Sequence, residues 1–356
     1  MAEIAYTFQP SGRASSGVRP GAPATVNTEN CRRLAELISA QTIPLDREES
    51  SLAGFSAAEA GNFYFLVVAI CHQTSPYGKL PLEGDVGGHH LRGWDYLSAK
   101  LEAAARLDKR LLSPAVWSGM TGERVSELFH DDALGNRLDD PTGRAALIRN
   151  LGDVMARHCW ESVEELYRAA SGRVCTGTPN LIELLAEFRA YDDPVRKKSY
   201  FFLSLMRNAN IWIYDDPDRL GPPVDYHEVR GHLRIGTVEI GDPNLRAKLL
   251  AGREVTREED IAIRQAVLDA IMLLSEMTGL RNPSQLHYLF WNVFRSCCTR
   301  ESPHCESCPP TCTLPERYVP LAIHADGVRR CPFSSVCQSA GKEPKLVEHR
   351  FKTDYY

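Results

Sequence analysis

The stretch GPPVDYHEVRGHLRIG, residues 221–236, decides how the rest of the chain is read. Two prolines and a valine deliver one carboxylate, Asp225, to a point where the chain turns helical. Asp225 has the chemistry of an N-cap, accepting bonds from the first free backbone N–H groups, and Glu228 three residues on completes a capping-box pattern. A cap of this kind is also a carboxylate held still at the positive end of a helix. An ionised, immobilised carboxylate can stabilise a sugar that develops positive charge as its base departs, or orient water toward its anomeric carbon.

Outward from this segment, helical signals dominate. DYLSAKLEAAARLDKR, with Asp95 as the expected cap, repeats apolar residues at Leu97, Leu101, Ala104 and Ala105. PNLIELLAEFRAY places Pro179 at an expected first-turn position. AIRQAVLDAIMLLSEMTG puts Ile263, Val267, Ala270, Ile271 and Leu274 on one side before Gly279 stops it. Strand-like alternation is scarce, so the expected fold is mainly α. Residues 1–28, rich in Gly, Pro, Ser and Ala, read as a loose or wrapping N-terminal arm; 29–290 read as a helical domain of two lobes with its catalytic segment at 193–236; 291–356 read as a cysteine-rich tail. Residues 74–94, dense in Gly and Pro, form a loop of a length that is commonly functional.

The chain has 356 residues, 43% hydrophobic and 24% charged, the composition of a soluble globular protein. Its longest apolar run, FYFLVVAIC at 63–71, is far short of the roughly 18 residues a membrane crossing needs. With no basic flank leading into an apolar core at the start, the expectation is a cytoplasmic protein without a membrane partner. A net charge of -5 and pI near 6.1 argue against indiscriminate coating of nucleic acid. Eleven cysteines in a reducing compartment point to metal or catalysis rather than disulfides, and seven of them crowd into residues 297–337.

The segment VDYHEVRGHLRIG resembles the corresponding stretch of the helix-hairpin-helix DNA glycosylases, whose catalytic aspartate falls at Asp225. DPVRKKSYFFL, 193–203, is similar to the family's preceding hairpin and helix, with Lys198 where bifunctional members keep a Schiff-base lysine. Asp193, Pro194 and Val195 stand where the family has the glycines that offer N–H groups to a DNA phosphate. NFYFLVVAICHQTSP resembles the helix end whose glutamine fills the gap left by an extruded nucleotide, which implies substrate contacts for Gln73 and the adjacent His72. Trp94, His89 and His90 in the 74–94 loop and Tyr226 beside the aspartate are the further pocket candidates, while core packing is the expectation for at least two of Phe63, Tyr64 and Phe65.

CCTRESPHCESCP supplies Cys298-x6-Cys305-x2-Cys308, similar to the opening of the C-x6-C-x2-C-x5-C loop that holds a [4Fe-4S] cluster in endonuclease III-like and adenine glycosylases. Leu314 occupies the position of the fourth cysteine, and Cys331-x5-Cys337 follows an apparent insertion. The implied ligands are Cys298, Cys305, Cys308 and Cys337. Cys331 in place of Cys308 preserves as many spacings, and Cys312 is a spare. Four thiolates suit either a [4Fe-4S] cluster or tetrahedral zinc.

A second resemblance, over about 60–295, is to the queuosine salvage proteins, nucleotide N-glycosidases with an aspartate at the Asp225 position. The expected activity is therefore cleavage of an N-glycosidic bond. The leading substrate is DNA carrying a modified base, bulky and of the phage type; the alternative is a free nucleotide bearing a deazaguanine base. A non-catalytic nucleic-acid-binding protein is the remaining class.

Overall fold

The computed structural model describes residues 22–39, 43, 52–280, 283–310 and 312–356. Among these the chain is mainly α, as expected, with six short strands in three two-stranded ladders. The helices are α1 Thr28–Ser39, α2 Ala57–Ala69, α3 Gly93–Leu107, α4 Pro114–Trp117, α5 Gly122–Leu128, α6 Pro141–Arg157 and α7 Val163–Ala169. They continue with α8 Leu181–Leu185, α9 Lys197–Asn208, α10 Tyr226–Ile235, α11 Pro243–Leu250, α12 Arg257–Thr278, α13 Pro283–Ser296 and α14 Val319–Ala322. No described helix is long and apolar enough to cross a membrane.

Local chemistry sets the helix boundaries. Capping boxes start α2 (Ser56 with Glu59), α10 (Asp225 with Glu228) and α12 (Thr256 with Glu259). Gly236 and Gly279 end α10 and α12 in the left-handed conformation that a Cβ disfavours. Two expected starts move. Arg92 precedes α3, which leaves Asp95 inside the first turn, and Asn180 caps α8, which leaves Pro179 outside the helix. The apolar stripe of α12 is buried at every residue anticipated for it, from Ile263 to Leu274.

The buried apolar residues fall into two clusters, one drawn from Leu52 to Leu220 and one from Ala24–Ile38 together with Val224–Leu346. The first is organised by α2, which is buried without interruption from Ala60 to Ala69, so Phe63, Tyr64 and Phe65 are all core. Each such side chain contributes roughly 1.5–3 kcal/mol of burial free energy. The second cluster takes in the cysteine-rich tail through Leu314, Tyr318, Phe333 and Leu346, so the tail shares a core with α10, α12 and α13. The chain passes from one cluster to the other between Leu220 and Val224, immediately before Asp225.

Of the anticipated N-terminal arm, residues 1–21 lie outside the described residues. The remainder is not loose: β1 (Ala24–Val26) pairs antiparallel with β6 (Val238–Ile240), and Asn27 donates its N–H to the Thr237 carbonyl. The 74–94 segment is also more regular than expected. It contains a hairpin of β2 (Glu83–Val86) and β3 (His89–Arg92) closed by Gly87 and Gly88, both at positive φ. Asp131 pins it by accepting the Asp85 N–H at 2.9 Å.

Candidate active site and cysteine centre

Asp225 is the N-cap of α10, as its sequence context predicts. Its Oδ1 accepts the N–H groups of His227 at 2.7 Å and Glu228 at 3.2 Å, while Glu228 accepts the Asp225 N–H at 3.1 Å. The residue is buried, with 9% of it exposed. Burial, and next the charge of Glu228, push its pKa up to about 6. Lys197, His287 and the Glu228 N–H pull the other way. The helix terminus alone does not keep this carboxyl at its ordinary value, yet a group with that pKa is predominantly ionised at neutral pH. Glu228, wholly buried, is held well above the ordinary carboxyl range by its desolvation and meets His287 Nδ1 at 2.8 Å.

Two adjacent lysines divide the properties that a Schiff-base amine needs. Burial lowers the Lys198 pKa to about 7, with Cys71 opposing the shift and Lys197 and Arg144 adding to it. Its Nζ, however, donates to the Ala69 carbonyl and faces His72 Nδ1 at 3.4 Å, with no exposure. Together with Arg144, which donates to the Ile70 and His72 carbonyls, it neutralises the negative end of α2. Lys197 is the lysine whose charge is felt at Asp225. Its Nζ lies 3.3 Å from Cys71 Sγ and 5.2 Å from the Phe201 ring centre. Burial pulls its pKa down, but Cys71 and then Asp225 more than offset this, so it stays charged.

The aromatic candidates are distributed unevenly. Trp94 meets Phe201 edge-on at 4.7 Å, and Tyr226 reaches the hydroxyls of Thr74 and Ser75. Phe201, half-buried, was not foreseen as part of the site; its i+4 spacing from Lys197 on a helix was the available signal. His72 is enclosed, and burial drives its pKa well below the usual range, so it is neutral. Gln73 spends its side-chain amide on the Tyr356 carbonyl at 3.1 Å. His89 and His90 are exposed on the hairpin, where His90 bonds Asp85.

Residues 193–197 are tied inward. Asp193 accepts the N–H groups of Val195 (3.1 Å) and Lys197 (2.9 Å), and its carbonyl accepts that of Arg196. The same carboxylate forms a bidentate pair with Arg264 at 2.8 and 2.9 Å. Arg264 in turn binds Asp260, which also accepts from Tyr356 and pairs with His349.

At the other end of α10 the cysteines gather. Cys298, Cys305, Cys331 and Cys337 line one cavity, with Cys297, Phe294 and Phe333 among its walls. Cys308 and Cys312 do not line it; their Sγ atoms stand with that of Cys297, all within 4.8 Å of one another. The cysteine segment thus has the donors and spacing to hold a metal. Of the two ligand sets compatible with the sequence, the cavity gathers the one containing Cys331. Helix α10 grips this region directly. Arg230 Nε donates to the Cys298 carbonyl at 2.6 Å, and Arg234 Nη1 reaches the Thr299 carbonyl at 2.7 Å and Cys298 Sγ at 3.3 Å. Gly231 lets α13 approach, since a Cβ there would stand 2.2 Å from the Phe294 ring.

No protein-family model matches the chain, and no curated protein matches it.

Proposed function

We propose that the protein is a hydrolytic N-glycosidase acting on a nucleotide-type substrate, with Asp225 as the carboxylate opposite the sugar. The observation that carries this reading is a buried carboxylate on a helix N-terminus, raised to about 6 by burial and sensing the charge of Lys197. Such a group is destabilised relative to one in water, which is the expected condition of a charge kept for a cationic transition state. As the base leaves, positive charge grows on the sugar ring and the fixed carboxylate lowers that barrier; water completes the hydrolysis. Trp94, Phe201 and Tyr226 offer aromatic faces for the departing base. Because Lys198, whose pKa is lowered, is enclosed against the end of α2, and Lys197, whose charge is felt at Asp225, stays protonated, the reading is hydrolysis without a Schiff base.

The sequence alone favoured DNA with a modified base. The bonding of residues 193–197 supports the alternative, a free nucleotide with a deazaguanine-type base, because the hairpin N–H groups that would grip a duplex phosphate are already accepted by Asp193. The test is release of free base, followed by chromatography, from queuosine monophosphate, hypermodified phage DNA and plain DNA. Release from the monophosphate alone supports the nucleotide reading; release from a polymer alone restores the DNA reading; no release from any leaves a binding protein.

The pH dependence follows from the same carboxyl. Base release should rise with pH through about 6 as Asp225 ionises and then level off. An acid limb near the ordinary carboxyl value of about 4 would show a solvated group and contradict the buried site.

For the cofactor, we assign Cys298, Cys305, Cys331 and Cys337 to a [4Fe-4S] cluster, since these four thiols share one cavity in x6 and x5 spacings. When bound, the cluster supplies four metal–thiolate links that brace the tail. Arg234 at Cys298 Sγ, together with Lys345 on the cavity wall, offsets its negative charge. Through Arg230 and Arg234 the brace holds α10, whose other end presents Asp225.

A further inference from the structure

We propose that the cysteine-rich segment carries two separate thiolate metal centres, the second being a zinc ion held by Cys297, Cys308 and Cys312. Among the described residues these three form the one group of His, Cys and acidic side chains whose ligand atoms all lie within 4.8 Å. A tetrahedral ion with Zn–S bonds of about 2.3 Å holds its sulfurs about 3.8 Å apart, so only a small closure separates the triad from that arrangement. The cavity thiols are a different set, whose sulfurs do not gather within that distance. A metal–sulfide cube stands between its thiolates and keeps them farther apart than a single ion does. Adjacent Cys297 and Cys298 therefore serve different centres, with Cys297 in the wall between them.

The surroundings fit a single soft-ligand ion. Three thiolates on a divalent cation leave one negative charge, and Arg329 lies in hydrogen-bonding contact with Cys308 to balance it. His304, whose ring nitrogens stand outside the 4.8 Å group, would fill the fourth position by turning toward the three sulfurs. Its backbone N–H donates to the Cys297 carbonyl at 2.7 Å, and its Nδ1 is buried without a partner. A Cys3His set is a common structural zinc site. The segment also has a need for one. Between Cys305 and Cys331 the chain makes an excursion whose only regular elements, among the described residues, are a 3-10 turn and the four-residue α14. The Cys308 N–H donates to the Arg329 carbonyl at 2.8 Å, so an ion at Cys308 and Cys312 ties both ends of the excursion to the end of α13. Zinc suits thiolate and imidazole donors and has no redox role to perform here.

This assignment stands apart from the glycosidase reading, because it is tested without substrate. The full chain, expressed with iron and zinc supplied and purified anaerobically after dialysis against a chelator, should retain about one zinc in addition to iron. Cys312→Ser and Cys308→Ser should each lose most of the zinc while keeping the iron and the absorption near 400 nm. Cys337→Ser should lose the iron and keep the zinc. X-ray absorption at the zinc edge of the unaltered chain, which does not depend on any variant folding, should show a shell of about three sulfurs and one lighter atom. Loss of zinc on Cys312→Ser in a chain without iron supports the zinc centre and overturns only the cluster. Absence of zinc from the unaltered chain, a disulfide within the triad, or joint loss of iron and zinc from Cys312→Ser would overturn the proposal.

Discussion

Asp225→Asn is expected to abolish base release, by about a thousandfold or more, while making the folded chain more stable. The two effects have one cause. Removing a fixed group that stabilises charge in the transition state typically costs 10²–10³ or more in rate. The amide keeps the acceptor oxygen for the His227 and Glu228 N–H groups, so the cap survives. The carboxyl is raised from 3.8 to about 6, so the fold prefers its protonated form and bears a cost when it ionises. That cost is absent below the unfolded pKa, grows between about 4 and 6, and is complete above 6. Asn removes it, and against a loss of favourable charge at the helix terminus of about 0.5–1 kcal/mol the net gain is on the order of 2 kcal/mol. Thermal unfolding should therefore show the variant ahead at pH 7.5, with the advantage shrinking as the pH falls toward 4. An Asp225 that only caps predicts unchanged turnover, and a slight loss of stability would contradict the raised carboxyl.

Arg264→Met has the opposite character, a large loss of stability. Arg264, Asp193 and Asp260 have no side-chain exposure, and the guanidinium is the partner of both carboxylates. Burial opposes ionisation of Asp260, but His349 and Arg264 hold its pKa down to about 2. Taking the cation away strands buried negative charge, an effect worth about 3–5 kcal/mol. The consequence reaches the site, because Asp193 also fixes the N–H of Lys197. Chemical denaturation should show the midpoint falling with an unchanged slope, and base release should weaken even where the variant remains folded. A shift within about 0.5 kcal/mol, the range of an ordinary surface substitution, would mean that the network is not the link between α9 and α12.

Local rules carried the helices. The 3.6-residue rhythm at 263–274 and the Asp225–Glu228 box both depend on neighbours within one or two turns, and both are realised. The Gly87-Gly88 turn was equally local and went unread, although two glycines between short extended runs are a hairpin signal. What sequence could not supply were pairings across distance. Gln73 looked free for a substrate until Tyr356, 283 residues on, took its amide. Lys197 and Lys198 are indistinguishable in the string RKK, but on a helix one step rotates a side chain by about 100°. One lysine therefore turns to Asp225 and the other to the end of α2. Cysteine spacing has the same weakness. It admits Cys308 or Cys331 as a ligand, and the fold, which turns Cys297 and Cys298 toward different neighbours, is what separates the two sets.

The most direct test of the account is release of free base from queuosine monophosphate and from hypermodified DNA, measured side by side for the unaltered chain and for Asp225→Asn at pH 7.5. The account predicts base from the unaltered chain and essentially none from a variant that is folded and no less stable. Equal release from both proteins, or none from either, would contradict it.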